Sequence, residues 1–237
     1  MSRSLLRCFA AAAVSVASVL TVVPSAASAG GGDAGGPATA AIVDTARGHG
    51  NVASLTFDDG PNPPDTLRLL AVLRRHHVKA VFCLTGDQVA AYPAVARRIA
   101  AEGHVLCNHS LHHDDLGAAT PEVIRADLAE TNRLIRQAVP GARIPYFRAP
   151  YGSWGQTPEV AASLGLQPLG WKFDIADWEP PGTDVLVQRI RDRITPGAVA
   201  LMHDGGGDRS QTVEAVNQII PELRAAGWRF TLPRARG

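Results

Sequence analysis

A chain of 237 residues, 46% of them hydrophobic, is long enough to bury one substantial core, as one large domain or two small ones. Its 23 basic and 22 acidic side chains leave a net charge of +1, and no basic stripe marks a nucleic-acid or anionic-membrane surface. The expected partner is neutral or mixed in charge.

At the N-terminus, Arg3 and Arg7 precede the apolar run "FAAAAVSVASVLTVV", and "PSAASA" ends on Ala27-Ser28-Ala29. A basic stretch, an apolar stretch and a small-residue site make a secretory signal over residues 1–29, cut after Ala29, which places the mature protein outside the cell. The apolar run is short and alanine-rich beside the roughly 20 strongly apolar residues of a span, so no membrane attachment is expected after cleavage. Without Arg3 and Arg7 the count is 21 basic against 22 acidic residues, a net of −1. Cys83 and Cys107 remain in the mature chain. Two cysteines can pair in an oxidising compartment, and two buried thiols are the equal alternative.

The Gly-rich "GGGDAGGPATAA" that follows lacks periodicity, so residues 30–47 read as a flexible lead-in and 48–237 as a single domain. Short runs rich in β-branched and aromatic residues then read as strands: "VASLTF" (52–57), "AVFCLT" (80–85), "HVLCN" (104–108), "IPYF" (144–147), "PLGWKF" (168–173), "AVALM" (198–202) and "WRFTL" (228–232). Helices read between the later strands. "TPEVIRADLAETNRLIRQAV" opens with Thr120 as N-cap and Pro121 at the first helical position. "TPEVAASLG" repeats that opening at Thr157-Pro158, "TDVLVQRIRDRI" caps on Thr183, and a last helix starts near Thr212 and carries Pro221. Alternating strands and helices imply a parallel sheet with crossover helices, either a nearly closed barrel or an open doubly wound sheet.

Polar clusters follow the strands. Asp58 and Asp59 come after the first run, His109 to His113 after "HVLCN", and Arg148 after "IPYF". Asp174 and Asp177 follow "PLGWKF", and His203 follows "AVALM". In a parallel α/β fold the C-terminal strand ends share one face, so these clusters converge there. Taken singly, each has a plainer reading: "DDG" as a turn, Arg148 as a surface ion pair, Trp178 as core, His203 as a structural histidine. His49, His76, His77 and His104 have no such context and read as structural or solvated.

Together the residue types suit metal-assisted hydrolysis. One Asp and two His make a ligand set for a divalent ion, with His113 or His112 as the partner of His109. A second carboxylate can serve as general base, Arg148 can hold that base by charge, and a separate His beside a carboxylate can act as acid. Neither a Gly-x-Ser-x-Gly elbow nor a phosphate-binding glycine loop is found, which leaves serine-hydrolase and kinase readings without support.

The sequence resembles the polysaccharide deacetylase family, carbohydrate esterases that remove acetyl groups from amino sugars or xylan. "TFDDG", "HSLHH", "RAPYG", "DIADW" and "LMH" resemble its five motifs, in family order from residue 56 to 203. The resemblance implies an α/β fold, a distorted (β/α) barrel with about seven parallel strands in a single domain. By position it implies Asp58 as catalytic base and Asp59, His109 and His113 as ligands of a divalent metal, zinc or cobalt. Arg148 would orient Asp58, and Asp177 would tune His203 as the acid. The backbone N–H of Tyr151 would stabilise the oxyanion, with Trp178 and Leu201 lining the acetyl pocket. The implied activity is N-deacetylation of N-acetylglucosamine in chitin oligomers or peptidoglycan by a secreted monomer. The alternatives are an acetyl-xylan esterase and a non-catalytic wall-polysaccharide-binding protein.

Overall fold

The computed structural model describes Met1 and residues 38–234, so the leader read in residues 1–29 otherwise lies outside the described residues. In chain order the elements begin with β1 (Val52–Gly60), α1 (Asp65–Arg75), β2 (Val81–Leu84), α2 (Gly86–Ala91), α3 (Pro93–Ala101) and β3 (Val105–Asn108). They continue with α4 (Pro121–Ala138), β4 (Tyr146–Phe147), α5 (Thr157–Ser163), β5 (Gln167–Pro168) and β6 (Phe173–Asp174). The last are α6 (Thr183–Arg193), β7 (Ala198–His203), α7 (Ser210–Ala225) and β8 (Arg229–Phe230).

All strand pairs are parallel, and the main path runs β5-β4-β3-β2-β1-β7-β6, with β8 beside the start of β1. The fold is a distorted (β/α) barrel, as expected. Period-2 alternation sorts its two faces. In β1, Leu55 and Phe57 pack outward with helix residues such as Leu69, Leu73 and Ile220. Ser54, Thr56 and Asp58 alternate with them on the inner face, which makes the strand buried on both sides. Val81, Cys83, Cys107, Tyr146, Leu169 and Val199 form a second, separate apolar cluster inside the barrel.

Three features depart from the sequence reading. "PLGWKF" is not one strand: β5 pairs with β4 and β6 with β7, at opposite ends of the path. The four residues between them cross the open seam, where Gly170 N–H donates to Val43 O (2.8 Å) and Lys172 N–H to Val199 O (2.9 Å). Residues 43–46, in the stretch read as lead-in, are part of the fold: Val43 bridges Leu169, Thr45 bridges Ala198 and Ala46 bridges Pro233. Among the described residues three helices precede residue 120, where none was read. The N-caps of α1 and α3 are Pro64 and Tyr92, which supply no capping side chain.

Cys83 and Cys107 face each other across the β2–β3 pair and are joined by a disulfide with a sequence separation of 24. A loop of that length is worth about 3 kcal/mol of stability through the entropy of the unfolded chain. The Cys83→Ala, Cys107→Ala double variant should lose about that much in chemical denaturation. An unchanged midpoint would show that the bond does not contribute.

Candidate active site

The C-terminal strand ends gather every candidate read from sequence. A pocket of about 600 Å³ is lined there by Asp58, Asp59, His109, His113, Tyr151 and Trp178, together with Leu201 and His203. That volume lies within the roughly 300–1,000 Å³ of ligand sites. Arg148 and Asp177 stand behind this wall, 1% and 2% exposed.

Adjacent strand residues normally face opposite ways, yet both aspartates reach this pocket. The reason is a register shift. Asp58 pairs with Cys83 and Gly60 with Leu84, so Asp59 is an extra residue, and its φ of 71° turns it out of the regular alternation. Such a bulge re-aims a side chain at a barrel rim. Left-handed backbone at non-glycine residues recurs around the site, at Ser110 (φ 65°), His113 (φ 63°), Tyr151 (φ 58°) and Ala176 (φ 48°). Each costs energy that the surrounding packing offsets.

His109 and His113 converge through a loop, not along a helix face. Their Nε2 atoms lie 3.4 and 3.3 Å from Asp59 Oδ1. The alternative, His112, is excluded from this group: its ring sits 3.9 Å from Asp87 Oδ2 and its side chain is 59% exposed. His109 Nδ1–H donates to Arg148 O (2.8 Å), which leaves Nε2 as the atom facing Asp59. Metal-binding histidines are held this way. Ligand atoms of Asp59, His109 and His113 lie within 4.8 Å of one another. Asp59 Oδ1 is buried with no hydrogen-bond partner among the described residues. A carboxylate oxygen orphaned between two imidazoles fits a divalent cation.

The electrostatics agree. Burial pushes the Asp59 carboxyl up, but the imidazoles gathered around it, His109 first and then His203 and His113, hold it well below the usual carboxylate range. Burial pushes His109 down, and Asp58 and Asp59 together outweigh it and raise the imidazole. Burial and the neighbouring His109 lower His113.

Arg148 is the largest fully buried side chain. Its Nη1 donates to Asp58 Oδ1 (2.7 Å) and Thr56 Oγ1 (2.9 Å), Nε to Leu169 O (3.0 Å) and Nη2 to Gly170 O (3.1 Å). The guanidinium thus clamps one oxygen of Asp58 from inside the barrel, while Asp58 Oδ2 faces His109 Nε2 at 3.6 Å. His203 lies on β7, paired in register with Asp58 on β1, and Asp177 Oδ1 accepts from its Nδ1–H (2.7 Å). Its Oδ2 accepts from the His203 N–H (2.9 Å) and the Thr212 hydroxyl (2.8 Å). Burial lowers the His203 imidazole, but Asp177 overcomes this by hydrogen bond and charge, so its pKa is raised. Trp178, 47% exposed, stands edge-on to His203 at 5.5 Å between ring centres.

The sequence model of the polysaccharide deacetylase family matches residues 45–169, more than half of the chain. The chain belongs to the polysaccharide deacetylase family. A chitooligosaccharide deacetylase of Bradyrhizobium sp. (strain ANU 289) is 40% identical over 199 residues, covering 77% of this chain and 91% of the relative. The crystal structure of a peptidoglycan N-acetylglucosamine deacetylase superposes with a TM-score of 0.75 at 30% identity, covering 80% of this chain and 89% of that one. A carbohydrate esterase family 4 pseudoenzyme from Bacillus anthracis superposes with a TM-score of 0.72 at 31% identity, covering 77% of this chain and 63% of that one.

Two buried ionisable residues near the site were missed by sequence reading. Asp204, fully buried, accepts from the Thr66 hydroxyl (2.5 Å), and its backbone N–H donates to Asp58 O (3.0 Å). Burial raises its carboxyl to about 7. Arg209, 5% exposed, lines the pocket and donates to the carbonyls of Gly205 (2.7 Å), Gly206 (3.0 Å) and Asp177 (3.3 Å). The signal was the glycine run after His203. A Cβ on Gly206 would come within 2.6 Å of Asp59 Oδ2, and one on Gly205 within 2.1 Å of Asp59 O. Only glycine lets this loop close over the aspartate.

Proposed function

We propose that the protein is a secreted, metal-dependent N-deacetylase of N-acetylglucosamine units in chitin oligomers or peptidoglycan. The observation that carries this reading is one pocket that brings together the clamped Asp58, the Asp59–His109–His113 group and the His203–Asp177 pair. A divalent cation held by Asp59, His109 and His113, zinc by donor chemistry with cobalt an alternative, supplies Lewis acidity that polarises the acetyl carbonyl.

The chain's own groups do the rest. Asp58 accepts a proton from the water that adds to the acetyl carbon, and Arg148 keeps the carboxylate aimed. The Tyr151 N–H, in a strained turn at φ 58°, donates to the oxyanion. His203 gives its proton to the departing nitrogen as the carbon–nitrogen bond breaks, so acetate and a free amine leave. Trp178 and Leu201 confine the methyl group. Export is supported by the leader read in residues 1–29 and by the Cys83–Cys107 disulfide, a bond typical of oxidising compartments. The amide reading is preferred to acetyl-xylan esterase because the 40% identical relative is named for chitooligosaccharides. A non-catalytic role is disfavoured because base, acid and ligand set are all present in one pocket.

The deciding experiment measures acetate release from chitooligosaccharides, peptidoglycan and acetyl-xylan in parallel, with and without chelator. Release from the first two, lost on chelation and restored by zinc or cobalt, is expected. Activity indifferent to chelator would sink the metal role, and release from xylan alone the substrate assignment.

His203 must be protonated to act, and Asp177 is what raises its pKa against burial. Activity is therefore present at low pH on this limb and lost as pH rises through the His203 pKa. Asp177→Asn should move that alkaline limb of the kcat profile to the acid side. A limb that stays in place would remove His203 from the role.

A further inference from the structure

Beside the reaction pocket opens a smaller hollow of about 230 Å³. The two share Asp59, His113 and Gly206, so the wall between them is the metal-ligand group itself. A polymer with one unit in the large pocket can extend an adjoining unit toward the small one. At 230 Å³ the hollow falls below the roughly 300 Å³ at which whole-ligand pockets begin, as expected for a single added ring.

Its lining differs in kind from that of the main pocket. Tyr151, Trp171 and Trp178 make the large pocket aromatic, whereas Thr85, Asp87, Gln88 and His112 make the hollow polar. Thr85 is 3% exposed, and its hydroxyl has no hydrogen-bond partner among the described residues. Asp87 accepts from the Gln88 N–H with Oδ1 (2.7 Å), and its Oδ2 stands 3.9 Å from His112 Nδ1, beyond hydrogen-bonding distance. No lysine or arginine pairs with Asp87 among the described residues. The hollow thus combines an unpaired hydroxyl with a carboxylate that lacks a firm counterion.

Hydrolysis of the acetamide of an amino sugar leaves a primary amine, weakened as a base by the ring oxygens around it and charged on the acid side of neutral pH. After one turnover the polymer itself presents a cation one unit from the next acetamide. We propose that the hollow is a subsite for the adjoining amino sugar that favours its free-amine form, with Asp87 as acceptor for the ammonium group and Thr85 and Gln88 as partners for ring hydroxyls. The product of one turnover is then a preferred substrate for the next, and deacetylation runs along a chain instead of scattering. This rests on the deacetylase reading given above.

Because Asp87 is 45% exposed, its preference is that of a solvated ion pair, about 2- to 5-fold. The test compares kcat/KM for fully acetylated chitotetraose with that for tetramers carrying one free amine on either side of the acetylated unit attacked. Wild-type enzyme should prefer one of the two isomers, since the hollow flanks the ligand group on one side only. Asp87→Asn should bring that ratio to one. The ratio is internal to each preparation, so a partly misfolded variant cannot imitate the result. Wild-type enzyme without isomer preference, or a ratio that survives the substitution, would overturn the proposal alone. A wild-type enzyme that releases no acetate from any of these tetramers would overturn the deacetylase reading and the subsite together.

Discussion

Replacing Asp58 with Asn should lower kcat by about 10²–10⁴-fold while the protein keeps its metal. The amide side chain has the shape of the carboxyl and can still accept from Arg148 Nη1, which sits at 2.7 Å, but it cannot take a proton from water. The metal should stay because Asp59, His109 and His113 form the ligand group without Asp58. His109→Ala supplies the contrast, since metal and turnover should fall together. Kinetics and metal content measured on the same preparations separate the two roles. Near-normal turnover in Asp58→Asn would remove it as the base, and loss of metal would make it a ligand instead.

The second large effect concerns stability. Arg148→Met strips a buried carboxylate of its cation and leaves the Thr56 hydroxyl and the Leu169 and Gly170 carbonyls without their donor. Breaking a buried pair on one side costs about 3–5 kcal/mol, because the remaining charge is uncompensated. Denaturant unfolding should show that loss. Adding Asp58→Asn to Arg148→Met should recover part of it, since the stranded charge is then gone. If the double variant is no more stable than Arg148→Met alone, the cost lies in the carbonyls and not in the charge.

The convergence of the site was legible because alternation of strands with crossover helices puts all strand ends on one face. That argument needs only the order of elements, so Asp58, His109, Arg148, Asp177 and His203 could be brought together across 145 residues from the sequence. Backbone conformation was not legible. The bulge that turns Asp59 beside Asp58 places a non-glycine residue at φ 71°, and no composition signal marks such a residue. The same blindness hid the choice between His112 and His113, which depends on a loop and not on helical spacing. Asp204 and Arg209 were passed over for another reason: the glycine run beside them marks a tight loop but not what it encloses, and Arg209 binds mainly main-chain carbonyls, Gly205 and Gly206 close by and Asp177 farther off. The split of "PLGWKF" escaped because two edge strands of two residues each look like one longer run.

The bridges at residues 43–46 bear on how this chain acquires its shape. Thr45 meets Ala198, Ala46 meets Pro233, and Arg234 N–H donates to Thr45 O (2.8 Å). Residues 45 and 46 are therefore held by residues 198 and 233–234, and this side of the seam is complete only when those residues are in place. Contacts of such long sequence separation form late, after the loop-closure cost of the intervening chain has been met. Without residues 198–234 the Val43–Leu169 bridge would remain, but Thr45 and Ala46 would lose their partners. Closure along this side of the seam is thus a late step of folding, set by the most distant pairings in the barrel.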